Sequence, residues 1–331
     1  MRRVSTGSPG SYALSAKALC EGELNVPGTD GAHICSHGAF ARRTPGEQSM
    51  SKIAVSAFLA APSILACVLC LAPADNVRHL DYKLVDDEAL IIIPVDNPAY
   101  ADAAASLYLA PSGFVAAADG SNIETLNMPE VVQGVGLNGA VDDGVKQLVD
   151  AIEADYNAGD MATGPLYVFG YSQSSVVMGM AEQQLADDGI KPDDLNFVMV
   201  GDSASAEGGF LNTFIDEFPT SWQPYIVELF KDFGADRVLG QVTPTGLFPT
   251  EVYSLSGDGW ANYDGGLNNA GLFTDHLEYL GLTSQEIMSS GNPVLDGMGP
   301  LATEYFTIQD SMVNSLEALL TQLQIADSVL F

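Results

Sequence analysis

Ser172 stands in Gly170-Tyr171-Ser172-Gln173-Ser174, a serine set among small residues and preceded directly by the apolar run Leu166-Tyr167-Val168-Phe169. A serine hydroxyl is a poor nucleophile until a base removes its proton, and a sharp strand-to-helix turn presents it to base and substrate together. The spacing predicts that turn, with a strand over 166–169 and a helix over 174–187. Compared with G-x-S-x-G, Ser174 replaces the last glycine and is still small enough for helix and strand to approach. The base follows by elimination from the four histidines His33, His37, His79 and His276. The first two precede an export-like segment and His79 follows it closely, which leaves His276, in the chain order Ser…Asp…His. The acid is preferred at Asp258, in the turn Gly257-Asp258-Gly259 after the second strand beyond the serine, with Asp202, Asp264 and Asp275 as alternatives. The expected oxyanion donors are the backbone N–H of Gln173 and a donor near Val95.

These side chains need a scaffold that brings late loops back to the serine. From about residue 75 onward, short apolar runs alternate with amphipathic stretches, the pattern of helices packed on a parallel sheet. Strands are expected at Ala89–Ile93, Phe114–Ala118, Leu166–Phe169, Phe197–Val200 and Glu251–Leu255. Helices are expected at Tyr100–Leu109, Val141–Asp155, Ser174–Asp187 and Met312–Ile325. The fold class is therefore α/β, a mostly parallel sheet flanked by helices.

An insert from about Ala204 to Pro249 differs in composition, holding Phe210, Phe214, Phe218, Trp222, Tyr225, Phe230, Phe233 and Phe248. It reads either as an amphipathic helix packed on the core or as a cap over an acyl-binding cleft. On the second reading, Phe214, Trp222 and Phe230, with Tyr171 beside the serine, are the candidate substrate contacts.

The chain has 331 residues, 47% of them hydrophobic, enough to bury a sizeable core. Its 43 acidic and 12 basic residues give a net charge of -31, a surface that repels nucleic-acid phosphates and excludes a nucleic-acid partner. Gly134-Val135-Gly136-Leu137-Asn138-Gly139 matches G-x-G-x-x-G but lacks a strand directly before it, so no nucleotide cofactor is expected. No metal is expected either, because the acidic pairs lack calcium-loop spacing and the four cysteines, Cys20, Cys35, Cys67 and Cys70, all lie early.

Residues 1–49 show no period and read as an extension before a start at Met50. Ser51-Lys52, the apolar run Ile53–Leu71 and Ala72-Pro73-Ala74 have the order of a secretory signal over 50–74, so the body over 75–331 is expected outside the cytoplasm or at the cell envelope. A membrane anchor and lipidation at Cys67 are the alternatives, which mass spectrometry of the mature N-terminus separates.

The blocks Val168-Phe169-Gly170-Tyr171-Ser172-Gln173-Ser174, Phe197-Val198-Met199-Val200-Gly201-Asp202 and Pro249-Thr250-Glu251-Val252-Tyr253 occur in that order. With Gly257-Asp258-Gly259-Trp260-Ala261 and His276 followed by Tyr279, they resemble the PE-PPE C-terminal domain of mycobacteria and related actinobacteria, a group of cutinase-like serine α/β-hydrolases. The resemblance implies esterase or lipase activity on acyl esters or lipids, acyl transfer in some members, and Ser172, Asp258 and His276 as the triad. Pro94-Val95-Asp96-Asn97 stands where the family has a Gly-Gly-Thr-Gly turn, which leaves open a catalytically inactive binding protein on the same fold.

Overall fold

Ala89-Leu90-Ile91-Ile92-Ile93 is apolar at every position and β-branched over its last three, as befits a strand covered on both faces. In the computed structural model it forms β1 (Glu88–Ile93) at the interior of a sheet. The structure describes residues 87–94, 97–128, 136–162, 164–263, 271 and 274–327, all within one unit spanning Lys52–Phe331. The expected extension, signal segment and lipidation site lie outside the described residues, as does Val95. Among the described residues no helix is long and apolar enough to cross a membrane.

The other strands are β2 (Ile123–Asn127), β3 (Leu166–Tyr171), β4 (Leu195–Val200), β5 (Thr250–Leu255), β6 (Val294–Asp296) and β7 (Thr303–Ile308). They form a seven-stranded sheet in the order β2-β1-β3-β4-β5-β7-β6, parallel throughout except for the antiparallel edge pair β6–β7. The helices are α1 (Pro98–Ala104), α2 (Gly136–Ala158), α3 (Gln173–Asp187), α4 (Phe210–Thr213), α5 (Gln223–Asp232), α6 (Ser284–Met288) and α7 (Ser315–Asp327). Alternate residues of each central strand serve opposite faces. Leu90, Ile92, Val168, Phe197 and Met199 pack with Val141, Leu148, Ile152, Val177 and Leu185 of α2 and α3. Ile91, Ile93, Phe169, Val198 and Val200 pack with Tyr100, Ala104, Tyr108 and Leu280 on the other side. This is an α/β-hydrolase-type sandwich.

The strand expected at Phe114–Ala118 is instead a loop, and the edge strand is Ile123–Asn127. Phe114 is buried, but Val115 is 68% exposed, and the following Ala-Ala-Ala-Asp-Gly has little strand preference. Asn122 holds the loop in place, accepting from Ala117 N–H at 2.7 Å and donating to the carbonyls of Asp87 and Val115 at 2.9 Å. The β6–β7 pair was not anticipated. The closing helix was, but its Leu316, Leu320 and Leu323 face solvent, while Ala318 is buried against the sheet's second layer.

Sheet order reverses between β1 and β3, since β1 leads to β2 on one side and lies against β3 on the other. In open α/β sheets the crevice at the carboxyl ends of two such strands is where chemistry gathers. Ser172 follows β3 there.

Candidate active site

Gly170 and Ser172 do the local work at the end of β3. A Cβ on Gly170 would sit 2.3 Å from Met178 Sδ and 3.0 Å from the Ser174 backbone, so only glycine lets α3 start this close to its strand. Ser172 takes φ 60°, ψ -120°, and is the only non-glycine residue with positive φ among the described residues. That conformation is strained for an L-residue and exposes the side chain at the tip of a sharp turn. Ser175, in the first turn of α3, ties the turn down: its Oγ lies 2.8 Å from the Gly170 carbonyl and accepts from Val200 N–H at 3.2 Å.

The structure brings the three residues of the expected triad into one hydrogen-bonded row. Ser172 Oγ lies 2.8 Å from His276 Nε2, and His276 Nδ1 lies 2.8 Å from Asp258 Oδ2. The buried carboxylate accepts, so Nδ1 carries the proton and Nε2 is free to accept from the serine. Asp258 is fully buried and His276 nearly so. Asp258 Oδ1 accepts from the N–H groups of Trp260 at 2.8 Å and Ala261 at 3.3 Å. Burial pushes the Asp258 carboxyl up, but the His276 imidazole and the hydrogen bonds from His276, Tyr279 and Trp260 outweigh it and hold the group below the ordinary aspartate range.

Tyr279 contributes a contact that residue spacing alone did not reveal. Its hydroxyl donates to Asp258 Oδ2 at 2.7 Å and accepts from Leu255 N–H at 2.8 Å, joining the acid to the end of β5. Burial first, then the Asp258 charge, push this phenol well above its ordinary value, so it stays a donor. Gly201 makes room for the assembly. At φ +62° its Cβ would lie 3.1 Å from the Tyr279 ring, 3.2 Å from His276 Cε1 and 3.3 Å from the Tyr171 ring.

The other candidates fall elsewhere. Asp202 is buried but is engaged elsewhere, accepting from Thr243 Oγ1–H at 2.6 Å and Ala204 N–H at 2.9 Å. Asp275 accepts from the Thr274 hydroxyl at 2.7 Å, and Asp264 lies outside the described residues. Gln173 opens α3 directly after Ser172, where the first N–H groups of a helix have no acceptor within it. Tyr171 is buried with its hydroxyl donating to the His276 carbonyl, which puts it behind the site.

Phe214 and Phe230 are each 6% exposed and belong to the larger core cluster, Phe214 stacking on Phe210 at 4.5 Å. Of the insert's three candidate contacts, only Trp222 presents surface, at 47% exposure. Aromatic side chains this dense pack on one another before they line a cleft. Trp260, beside Asp258, bridges the two regions, its ring 4.9 Å from Phe210 and 6.3 Å from His276. A cavity of about 340 Å³ lined by Asp142, Val145, Lys146, Met180 and Arg237 lies on the α2–α3 face and includes no residue of the row.

Residues 117–265 match the family model of the PE-PPE domain. Over that stretch the chain is similar to the PE-PPE domain. That segment holds Ser172 and Asp258, while His276 lies beyond it. The chain is 29% identical over 242 residues to a PPE family protein of Mycobacterium tuberculosis, an alignment covering 68% of this chain and 33% of that one. The chain therefore spans about a third of that relative's length. Among solved structures it is similar to the type II thioesterase BorB from the borrelidin biosynthetic cluster, at 14% identity and a TM-score of 0.33, covering 76% of this chain and 95% of that one. It is also similar to a thermophilic esterase from Thermogutta terrifontis, at 11% identity and a TM-score of 0.29, covering 74% and 89%. The fold of the matched stretch and its flanks is that of the chain's own strand order.

Proposed function

We propose that the chain is a serine hydrolase that cleaves acyl esters through an acyl-enzyme, with Ser172 as nucleophile, His276 as base and Asp258 as the acid that orients it. One observation carries this reading: the unbroken row Ser172 Oγ, His276 Nε2, His276 Nδ1, Asp258 Oδ2, with both hydrogen bonds 2.8 Å long, ending at a buried carboxylate. As Oγ attacks the ester carbonyl, its proton passes to Nε2, and the charge that develops on the imidazole is met by Asp258. The tetrahedral oxyanion is held by the Gln173 N–H at the start of α3, and one such donor is worth about 3 kcal/mol. His276 returns the proton to the leaving alcohol, and water, activated by the same imidazole, releases the acid. The PE-PPE match supports a hydrolase of this kind; a lipid as the natural ester is part of the proposal.

Labelling with a fluorophosphonate followed by peptide mapping tests the nucleophile and its activation together. The adduct is expected on the peptide containing Ser172, and Ser172→Ala is expected to abolish both labelling and hydrolysis of a short-chain chromogenic ester. A variant that still turns over the ester at the original rate overturns the assignment.

A further inference from the structure

His276 sits in the short 3₁₀ turn Asp275–Leu277, followed at once by a second turn, Tyr279–Gly281, and lies 104 residues beyond the serine it faces. A loop of this kind has little intrinsic rigidity, so something must fix the imidazole to a fraction of an ångström. The row of hydrogen bonds accounts for the ring. The backbone that carries the ring is held differently: the Tyr171 hydroxyl, from the residue next to the nucleophile, donates to the His276 carbonyl. That hydroxyl in turn accepts from Gln322 Nε2 at 3.2 Å, and Gln322 Oε1 accepts from Leu280 N–H at 2.9 Å. One side chain of α7 thus grips both the tyrosine that holds the histidine and the turn that follows it. A second contact from the same helix reaches the loop after β1, where Asn97 Nδ2 donates to the Ile325 carbonyl at 2.7 Å while its Oδ1 caps α1. The helix also seats Ala318 and Ile325 against the core, while Leu316, Leu320 and Leu323 turn to solvent. The polar grip therefore sits on the one face that meets the site.

We infer that Gln322 is a positioning residue, through which the helix Ser315–Asp327 sets the His276 loop in register with Ser172 by way of Tyr171 and Leu280. The inference rests on the hydrolase reading for its kinetic consequence and on the hydrogen bonds alone for its structural one. Tyr171 then acts from behind the site as the link to His276.

Gln322→Met keeps the length and removes both polar contacts. In the full chain it is expected to lower kcat for a chromogenic ester about ten-fold with KM changed less than about two-fold, because misplacing a catalytic group costs rate rather than binding. Fluorophosphonate labelling of Ser172 is expected to slow by the same factor. Tyr171→Phe is expected to reproduce the loss, and the double variant to add little, since both act on one link. Leu320→Ala, on the exposed face of the same helix, serves as the control and is expected to change none of these. The low-field proton NMR signal of His276 Nδ1–H is expected to shift or broaden in Gln322→Met and to persist in Leu320→Ala. Unchanged kcat, labelling and low-field signal in Gln322→Met overturn the inference, as do losses that multiply in the double variant. If the unmodified chain neither hydrolyses esters nor labels, the hydrolase reading fails by itself, and the low-field signal decides the positioning role.

Discussion

Asp202 and Asp258 are both fully buried aspartates on loops that follow strands beyond Ser172. What separates them is their partners: Asp258 faces an imidazole, Asp202 a threonine hydroxyl and a backbone N–H. Burial pushes Asp202 up to about 6, tempered by those two hydrogen bonds, whereas the His276 side holds Asp258 low. Asp258→Asn is expected to lower kcat by about 10³- to 10⁴-fold, since the amide favours the wrong tautomer of the histidine. Asp202→Asn keeps a neutral acceptor in place and is expected to leave kcat within about two-fold, a difference read directly from ester turnover of the two variants. Ser172 and His276 were legible as residues, one from its turn and the other because no other histidine was well placed. The preference for Asp258 followed from its place in the strand order, but the bonds that distinguish it come from the fold. Tyr279 was legible only as a family-like spacing. Gln322 was not legible at all, because a glutamine on an amphipathic helix carries no local mark of what lies beneath it.

At the level of elements, the strand–turn–helix around the serine was the clearest reading, because an apolar run, a glycine and a second apolar period follow one another within a few residues. The structure lengthens the strand to Tyr171 and starts α3 at Gln173. Gly170→Ala places a methyl against the Ser174 backbone, which cannot yield as the Met178 thioether can. Overpacking of this kind costs about 1–3 kcal/mol and lifts α3 from β3. The expected result is a lower urea midpoint together with slower fluorophosphonate labelling of Ser172. At Phe114–Ala118 a single buried phenylalanine gives a strand-like pattern to a loop, while the edge strand Ile123–Asn127 carries a weak pattern because it lies at the margin of the sheet. The aromatic insert illustrates another limit. Residue type marks it as apolar, but whether its rings meet one another or a ligand is decided by tertiary packing, and Phe210, Phe214 and Phe230 meet one another.

For the molecule as a whole, the acidic balance has a consequence for stability. Glu88 and Glu278 are pushed up to about 7, each by burial first and then by neighbouring carboxylates. Burial, with Asp202 nearby, also raises Glu182 well above its ordinary value. Such groups keep protons in the folded state that the unfolded chain releases, so stability is full below the ordinary glutamate value of 4.5 and falls as pH rises toward about 7. The net charge of -31 adds repulsion in the same direction. Scanning calorimetry is therefore expected to give a higher Tm at pH 5 than at pH 8, with Glu182→Gln narrowing the gap by raising the value at pH 8. A Tm that climbs from pH 5 to pH 8 contradicts this account. The layered α/β architecture was legible from alternating apolar runs, whereas the order of strands was not, because it depends on crossovers between distant segments. That crossover order bears on how the protein can be divided. Ser172 and Asp258 fall inside the matched stretch 117–265, while His276, Tyr279 and Gln322 fall after it. On the proposed mechanism, a fragment cut at that boundary keeps the strained serine turn and loses the base that would make it reactive, so an excised domain of this kind would carry a chemically silent hydroxyl. On that proposal the working unit runs from β1 through α7, and expression trials or domain fusions should respect that span.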